Sequence, residues 1–341
     1  MKLPEPAHTI ASLIDQYHAG NSEKPRAHLG CSLLGHPCDR WLWLSFRWAV
    51  VEKFEGRILR LFRRGQMEET TIVSDLRAIG IDIRHAGDRN QKRVIFGSHV
   101  SGSLDGIIES GVPEAPKKRH VAEFKTHSKK SFDEVAKAGV ETAKPMHYVQ
   151  IQIYMLGAGI DRALYLAVCK DDDRIYTERV RYVKDVAEKA IARGQRIALA
   201  DRMPEPVSAD PTWYQCRFCA AHAFCHKAEP TKHANCRTCA HSTAMANDTW
   251  RCERHDADGI PTAFQHEGCD DHVLHPDMVP WPMTPSDDGL TVTWQIGDRA
   301  IVNGPGPGQY KSREIVANPA ALDDPMILAA KAAFPDAEVI G

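Results

Sequence analysis

The chain has 341 residues, 43% of them hydrophobic and 26% charged, with a net charge of −2; that is enough for one sizeable α/β domain with smaller modules, of ordinary soluble composition. No run approaches the roughly 20 apolar residues of a membrane helix, and MKLPEPAHTIASLIDQYHAG lacks the basic start and apolar core of a secretory signal, so a cytoplasmic protein is expected. Charge is uneven: residues 1–230 carry 35 Lys+Arg against 29 Asp+Glu, and residues 231–341 carry 8 against 16. The basic residues of the first part, dense at Arg57, Arg60, Arg63 and Arg64 and at Lys117, Lys118, Arg119, Lys125, Lys129 and Lys130, suit either a polyanionic partner or a solvated helix face.

In chain order, a short helix is expected over 6–18, an aromatic-rich helix over 38–48, and a long amphipathic helix over 54–79 with Ile58, Leu61 and Phe62 on one face and Gly80 closing it. Strands follow at 92–96, 103–109 and 120–126, then helices at 129–139 and 145–158. Two more strands at 163–169 and 174–181 and a helix at 183–201 complete a mixed sheet flanked by helices. Past Pro204, Pro206 and Pro211 the periodicity fades; residues 285–341 show weak strands, the loop NGPGPG and a helix near 325–334. The domain reading is 1–230, then a small module over 231–280 and an extension over 281–341.

The chemistry concentrates at Asp105, Glu123 and Lys125. Side chains alternate along a strand, so Glu123 and Lys125 share a face while Phe124 points into the core. If the strand carrying Asp105 is the neighbour, two carboxylates and an ammonium converge. Carboxylates so placed repel unless a cation joins them, and a hard divalent ion such as Mg²⁺ or Mn²⁺ does so with oxygen ligands. Such a set is sufficient to activate water against a phosphodiester. An ordinary hairpin ion pair gives the same string, so the bare pattern decides little.

Four motifs in order add weight: Gly65-Gln66-Met67-Glu68-Glu69, Gly102-Ser103-Leu104-Asp105-Gly106, Glu123-Phe124-Lys125 and Gln150-Ile151-Gln152-Ile153-Tyr154. Gln150 and Tyr154 are i and i+4 and share a helix face. Together the motifs resemble the RecB-like branch of the PD-(D/E)xK nucleases, with Leu104 where that family has proline. The resemblance implies a restriction-endonuclease-like α/β core and metal-dependent hydrolysis of DNA, exonuclease ahead of endonuclease, in recombination, repair or phage DNA processing. It also implies catalytic roles for Glu69, Asp105, Glu123, Lys125, Gln150 and Tyr154, with Glu69, Asp105, Glu123 and the Phe124 carbonyl holding the metal. A helicase or a single-strand annealing protein is the kind of partner it brings, and the oligomeric state is left open.

Seven of the ten cysteines lie between 216 and 269, a spacing that in a cytosolic chain points to metal. Cys216, Cys219 and Cys225 need a fourth ligand to close a tetrahedral set. The same resemblance supplies Cys38 and a [4Fe–4S] cluster; zinc with Cys38, His222 or His226 is the competing reading, and plain buried thiols a third. Cys236, Cys239, Cys252 and Cys269 have zinc-ribbon-like spacing, with His255 and His272 as alternates. Cys169 reads as core. Two other classes stand beside the nuclease: a catalytically silent nucleic-acid-binding scaffold, and an iron–sulfur redox protein, which leaves the acid–lysine set unexplained.

Overall fold

A computed structural model describes residues 9–87, 91–319, 322 and 324–338. Its first elements are α1 (Ile10–Gly20), β1 (Leu29–Gly30), α2 (Asp39–Phe46), α3 (Gly56–Ala78), β2 (Asp82–Arg84), β3 (Arg93–Gly97), β4 (Val100–Ser103), β5 (Gly106–Ser110) and β6 (His120–His127). Then come α4 (Lys129–Ala143), α5 (Pro145–Ala158), β7 (Arg162–Cys169), β8 (Ile175–Arg181) and α6 (Lys184–Ala198). The chain divides into two compact units. One comprises residues 1–36, 52–96 and 100–194; the other comprises 37–51, 97–99 and 195–341.

The first unit is built on a five-stranded sheet in the order β2-β5-β6-β7-β8. Its pairs are antiparallel except β6 and β7, a parallel pair that needs a crossover, which α4 and α5 supply. Even-numbered positions of β6 and β7 (Ala122, Phe124, Leu164, Leu166, Val168) pack with Ile72, Val73 and Leu76 of α3 and with Ile83 and Ile108 in one core. That leaves Glu123, Lys125 and His127 on the opposite face. There α5 contacts both β6 and β7. Six consecutive α5 residues, Gln150 to Met155, are buried, as expected of a helix enclosed on all sides. The buried amide of Gln152 is satisfied, donating to the Arg181 carbonyl and accepting from the Val183 N–H. Gly159, at φ 65°, closes the helix in the left-handed conformation.

Most expected elements appear within a few residues of their expected ends, with three corrections. The strand expected over 103–109 is broken: Val100–Ser103 belongs to a small sheet β1-β4-β3 and Gly106–Ser110 to the main one, so Leu104 and Asp105 sit at the crossing between sheets. The core face of α3 lies in its C-terminal half, whereas Phe62 is about half exposed. The first helix spans Ile10–Gly20, and residues 6–8 of the expected range lie outside the described residues. The strands β1 and β2, two and three residues long, are too short to show any period.

The second unit contains α2 and the chain beyond α6: α7 (Tyr214–Arg217), α8 (His222–His226), β9 (Ser242–Ala244), β10 (Trp250–Cys252), α9 (Thr262–Glu267), β11 (Met283–Pro285), β12 (Val292–Ile296), β13 (Arg299–Asn303), α10 (Ser312–Ala317) and α11 (Pro325–Ala333). Arg47 and Arg237 are buried among aromatic rings; the Arg237 guanidinium lies 3.8 Å from the Trp48 ring centre and donates to the Phe46 carbonyl and to Gln265. Trp294, Ile301 and Ile315 form a second core around the three-stranded sheet β11-β12-β13. There Asn303 joins the Leu274 N–H, the Tyr310 carbonyl and Ser312 by side-chain hydrogen bonds.

Leu166→Ala in the first core is expected to cost about 2–5 kcal/mol of unfolding free energy by lost burial plus the cavity left behind, read by denaturant titration. A loss under about 0.5 kcal/mol, the surface-substitution range, would place Leu166 outside the core.

Candidate active site

Antiparallel pairing of β5 with β6 sets Gly106 against Ala122, which brings Asp105 beside Glu123. The Asp105 carboxylate accepts from the Phe124 N–H at 2.8 Å, so the backbone of β6 fixes its orientation. Lys125 bonds Glu123, donates to the Phe124 carbonyl at 3.1 Å and lies 3.9 Å from Asp105. The neighbouring strand thus supplies the second acid, but from a junction residue rather than from within a strand.

Glu123 is fully buried, and its Oε2 has no hydrogen-bond partner. Burial, then the Asp105 and Glu69 charges, lift its carboxyl well above the ordinary range although Lys125 opposes them. Burial works against the Lys125 ammonium; Glu123, Asp105 and Glu69 outweigh it and hold that pKa above the usual lysine value. Glu69 reaches this group from α3 and accepts from the Gln91 amide at 2.9 Å, a partner with no sequence signal of its own. Burial raises the Tyr154 phenol, with Glu123, Cys31 and Asp105 adding, while a bond with Gln150 opposes them. Gly102 lets β4 approach α5, since a Cβ there would lie 2.9 Å from the Tyr154 ring and 3.0 Å from the Cys31 side chain. Asp105, Glu123, Lys125, Gln150 and Tyr154 are therefore brought together, and Glu69 acts on the same group by its charge from α3.

One neighbouring cluster was not read from the sequence. His127, next on the Glu123–Lys125 face of β6, bonds the Tyr165 hydroxyl at 2.8 Å, and His147 of α5 bonds the same hydroxyl at 3.1 Å. The period of two from Glu123 and the spacing of three from His147 to Gln150 were the available signals. Several of the basic residues are engaged by nearby acids instead: Arg60 by Asp15, Arg119 by Glu109 and Lys129 by Asp172.

None of the ten cysteines forms a disulfide. Cys38 caps α2 by accepting from the Trp41 N–H. Burial raises the pKa of Cys216, Cys219 and Cys225, and the Cys38 thiol adds to each; Arg40 bonds Cys225. Burial likewise raises Cys236 and Cys239, with Cys269 and Cys252 adding. The Cys269 sulfur lies 4.0 Å from the His255 ring. His272 bonds the Asn235 carbonyl through Nε2 and leaves a buried Nδ1 without a partner. Among the described residues, however, no three His, Cys, Asp or Glu converge tightly enough to hold a metal ion. The structure thus does not support the iron–sulfur and zinc expectations, and Glu69, Asp105 and Glu123 form no such group in the metal-free arrangement either.

No family model and no curated protein matches the chain. Three solved structures are similar in part. The structure titled SSO0001 has a TM-score of 0.39 at 14% identity over 64% of this chain and 96% of its own. LHK-Exo in complex with dAMP has 0.36 at 12%, over 53% and 89%. An alkaline exonuclease (LHK-Exo) from Laribacter hongkongensis has 0.34 at 14%, over 55% and 90%. At this level of likeness the functional reading rests on the side chains themselves. Among the described residues no helix is long and apolar enough to cross a membrane.

The raised Glu123 carboxyl has a direct consequence. An acid whose folded pKa exceeds its unfolded value destabilises the metal-free fold increasingly as pH rises from the ordinary carboxylate range. A divalent ion that takes the carboxylate displaces that proton. The rise in Tm given by millimolar Mg²⁺ or Mn²⁺ is therefore expected to grow between about pH 6 and about pH 9 and to vanish in Glu123→Gln. A rise independent of pH would contradict it.

Proposed function

We propose that this chain is a divalent-metal-dependent deoxyribonuclease that hydrolyses phosphodiester bonds, acting from DNA ends. The observation that carries the reading is the buried junction of Asp105, Glu123 and Lys125, with one Glu123 oxygen left unpartnered. A buried acid without a partner oxygen-side is costly, and hard carboxylate oxygens fit Mg²⁺ or Mn²⁺. Asp105, Glu123, Glu69 and the Phe124 carbonyl would hold the ion, which when bound polarises the phosphate and lowers the pKa of water.

The chain's own residues have separable tasks. The Phe124 N–H keeps Asp105 aimed at the junction, and the Gln91 amide does the same for Glu69. Lys125 contacts both acids; beside a bound ion its ammonium would face a substrate phosphate and stabilise developing charge there. Gln150 and Tyr154 close the group from α5. The metal-free arrangement is in this reading a resting state held by an ion pair.

The cysteine quartets fit a structural role in the second unit. A cluster on Cys38, Cys216, Cys219 and Cys225, as [4Fe–4S], would tie α2 to the chain beyond α6. Zinc on Cys236, Cys239, Cys252 and Cys269 would hold the β9–β10 region, with His272 as alternate because its Nδ1 lacks a partner.

Asp105→Ala, Glu123→Ala and Lys125→Ala are each expected to reduce cleavage of linear duplex by at least about a thousandfold while circular dichroism stays native; wild-type rates in all three would remove the site. Closed circular DNA should survive where linear DNA is degraded, and equal loss of both would make the enzyme an endonuclease. Protein purified without oxygen should be brown and carry iron and zinc by elemental analysis. Cys219→Ala should remove the iron alone. Metal-free protein of full activity and unchanged Tm would end the structural assignments.

A further inference from the structure

The cluster beside Lys125 is built too specifically to be filler. Tyr165 of β7 is paired with Glu123 of β6, and His127 is paired with Cys169, yet the Tyr165 hydroxyl lies 2.8 Å from the His127 Nε2. At roughly 3.3 Å per residue the offset is too long for the phenol alone, so the Tyr165 and His127 side chains lean toward each other along the sheet. Between them, opposite Lys125, β7 carries Ala167, a side chain small enough to leave the room. Tyr165 is fully buried, and with Glu123, Lys125 and His127 it shares one face of the β6–β7 pair.

The hydroxyl at the end of that ring is shared. His127 and His147 both bond it, at 2.8 and 3.1 Å, and Ser131 of α4 bonds the other nitrogen of His127 at 3.1 Å. A hydroxyl has one proton to donate. One imidazole therefore accepts from Tyr165 and the other donates to it, which ties the tautomers of the two rings together. Burial keeps both imidazoles neutral, with Lys144, Lys125 and Lys170 pressing on His127 and Lys125, His127 and Lys144 on His147; their pKa values are pushed down to about 4 and about 3. No carboxylate is among the groups acting on either ring. The acids that act on Lys125 are Glu123, Asp105 and Glu69, whereas this cluster presents neutral rings to it.

Resting on the nuclease reading above, we propose that Tyr165, bridged by His127 and His147, is a positioning unit that confines the Lys125 side chain to the side of β6 where the two acids and the substrate phosphate meet. It joins the catalytic face of β6 to α5, three residues before Gln150, without touching the reacting atoms. A loss of the bridge should let Lys125 swing while the carboxylates stay where the backbone holds them.

Tyr165→Phe removes one oxygen and keeps the ring. The expected result is a fall in kcat of about ten- to a hundredfold, the range for misplacing a group by an ångström or so. KM for linear DNA and the Mg²⁺-induced rise in Tm should remain within about twofold. In the same variant, ¹⁵N-detected imidazole spectra should move at His127 and His147 together. His147→Gln, which retains a side-chain amide able to bond the hydroxyl, should recover part of the rate lost in His147→Ala. A wild type that cleaves no DNA sinks the nuclease reading. An active wild type with an equally active Tyr165→Phe sinks this inference alone, as does a loss carried by KM or by a vanished Mg²⁺ response.

Discussion

A fully buried Glu123 carboxyl, met by the partly exposed Asp105 and Lys125, is the constraint that organises the first unit. Burial keeps the Glu123 carboxyl protonated well above the ordinary carboxylate range, and Lys125 beside it offsets that only in part. Replacing a buried ion pair by apolar groups is often neutral or stabilising, so stability alone gives no reason to keep it. The sheet has instead been arranged to deliver it. The β5–β6 register brings Asp105 beside Glu123, α3 seals the opposite face with Ile72, Val73 and Leu76, and α5 covers the charged face with buried residues.

The position of Asp105 shows how backbone irregularity serves chemistry. It lies where the chain leaves one sheet and enters another, a place without a ladder partner of its own, and its carboxylate is free to bind the Phe124 N–H. Gly102, just before it, lets the small sheet come within contact of Tyr154 and Cys31. An unbroken strand over 103–109 would have committed residue 105 to the ladder and to one of the two faces.

The sequence made the site more legible than the surroundings that position it. Glu123, Phe124 and Lys125 announce their faces through the period of two, and Gln150 and Tyr154 through the helical i,i+4 spacing. Long helices such as α3 and α5 were readable because periodicity accumulates over many residues. The break at Leu104–Asp105 was not, since a change of sheet leaves no local pattern. Gln91 and Tyr165 were invisible for a different reason: a lone amide after a charged turn and a tyrosine inside an apolar strand look like countless others, and only the register between β6 and β7 gives Tyr165 its neighbours. The cysteines were legible as groups by their spacing, but ligation depends on deprotonated thiols drawn to an ion, and among the described residues no metal-holding group is formed.

The account stands on a divalent ion taking the place that Lys125 now bridges. Crystals grown with Mn²⁺ and measured at an anomalous wavelength test this most directly. The expected result is a peak bonded to Asp105 and Glu123, with Lys125 withdrawn from Glu123. A map with no peak at that junction, and with Lys125 still joined to both acids while Mn²⁺ is bound elsewhere in the protein, would contradict it.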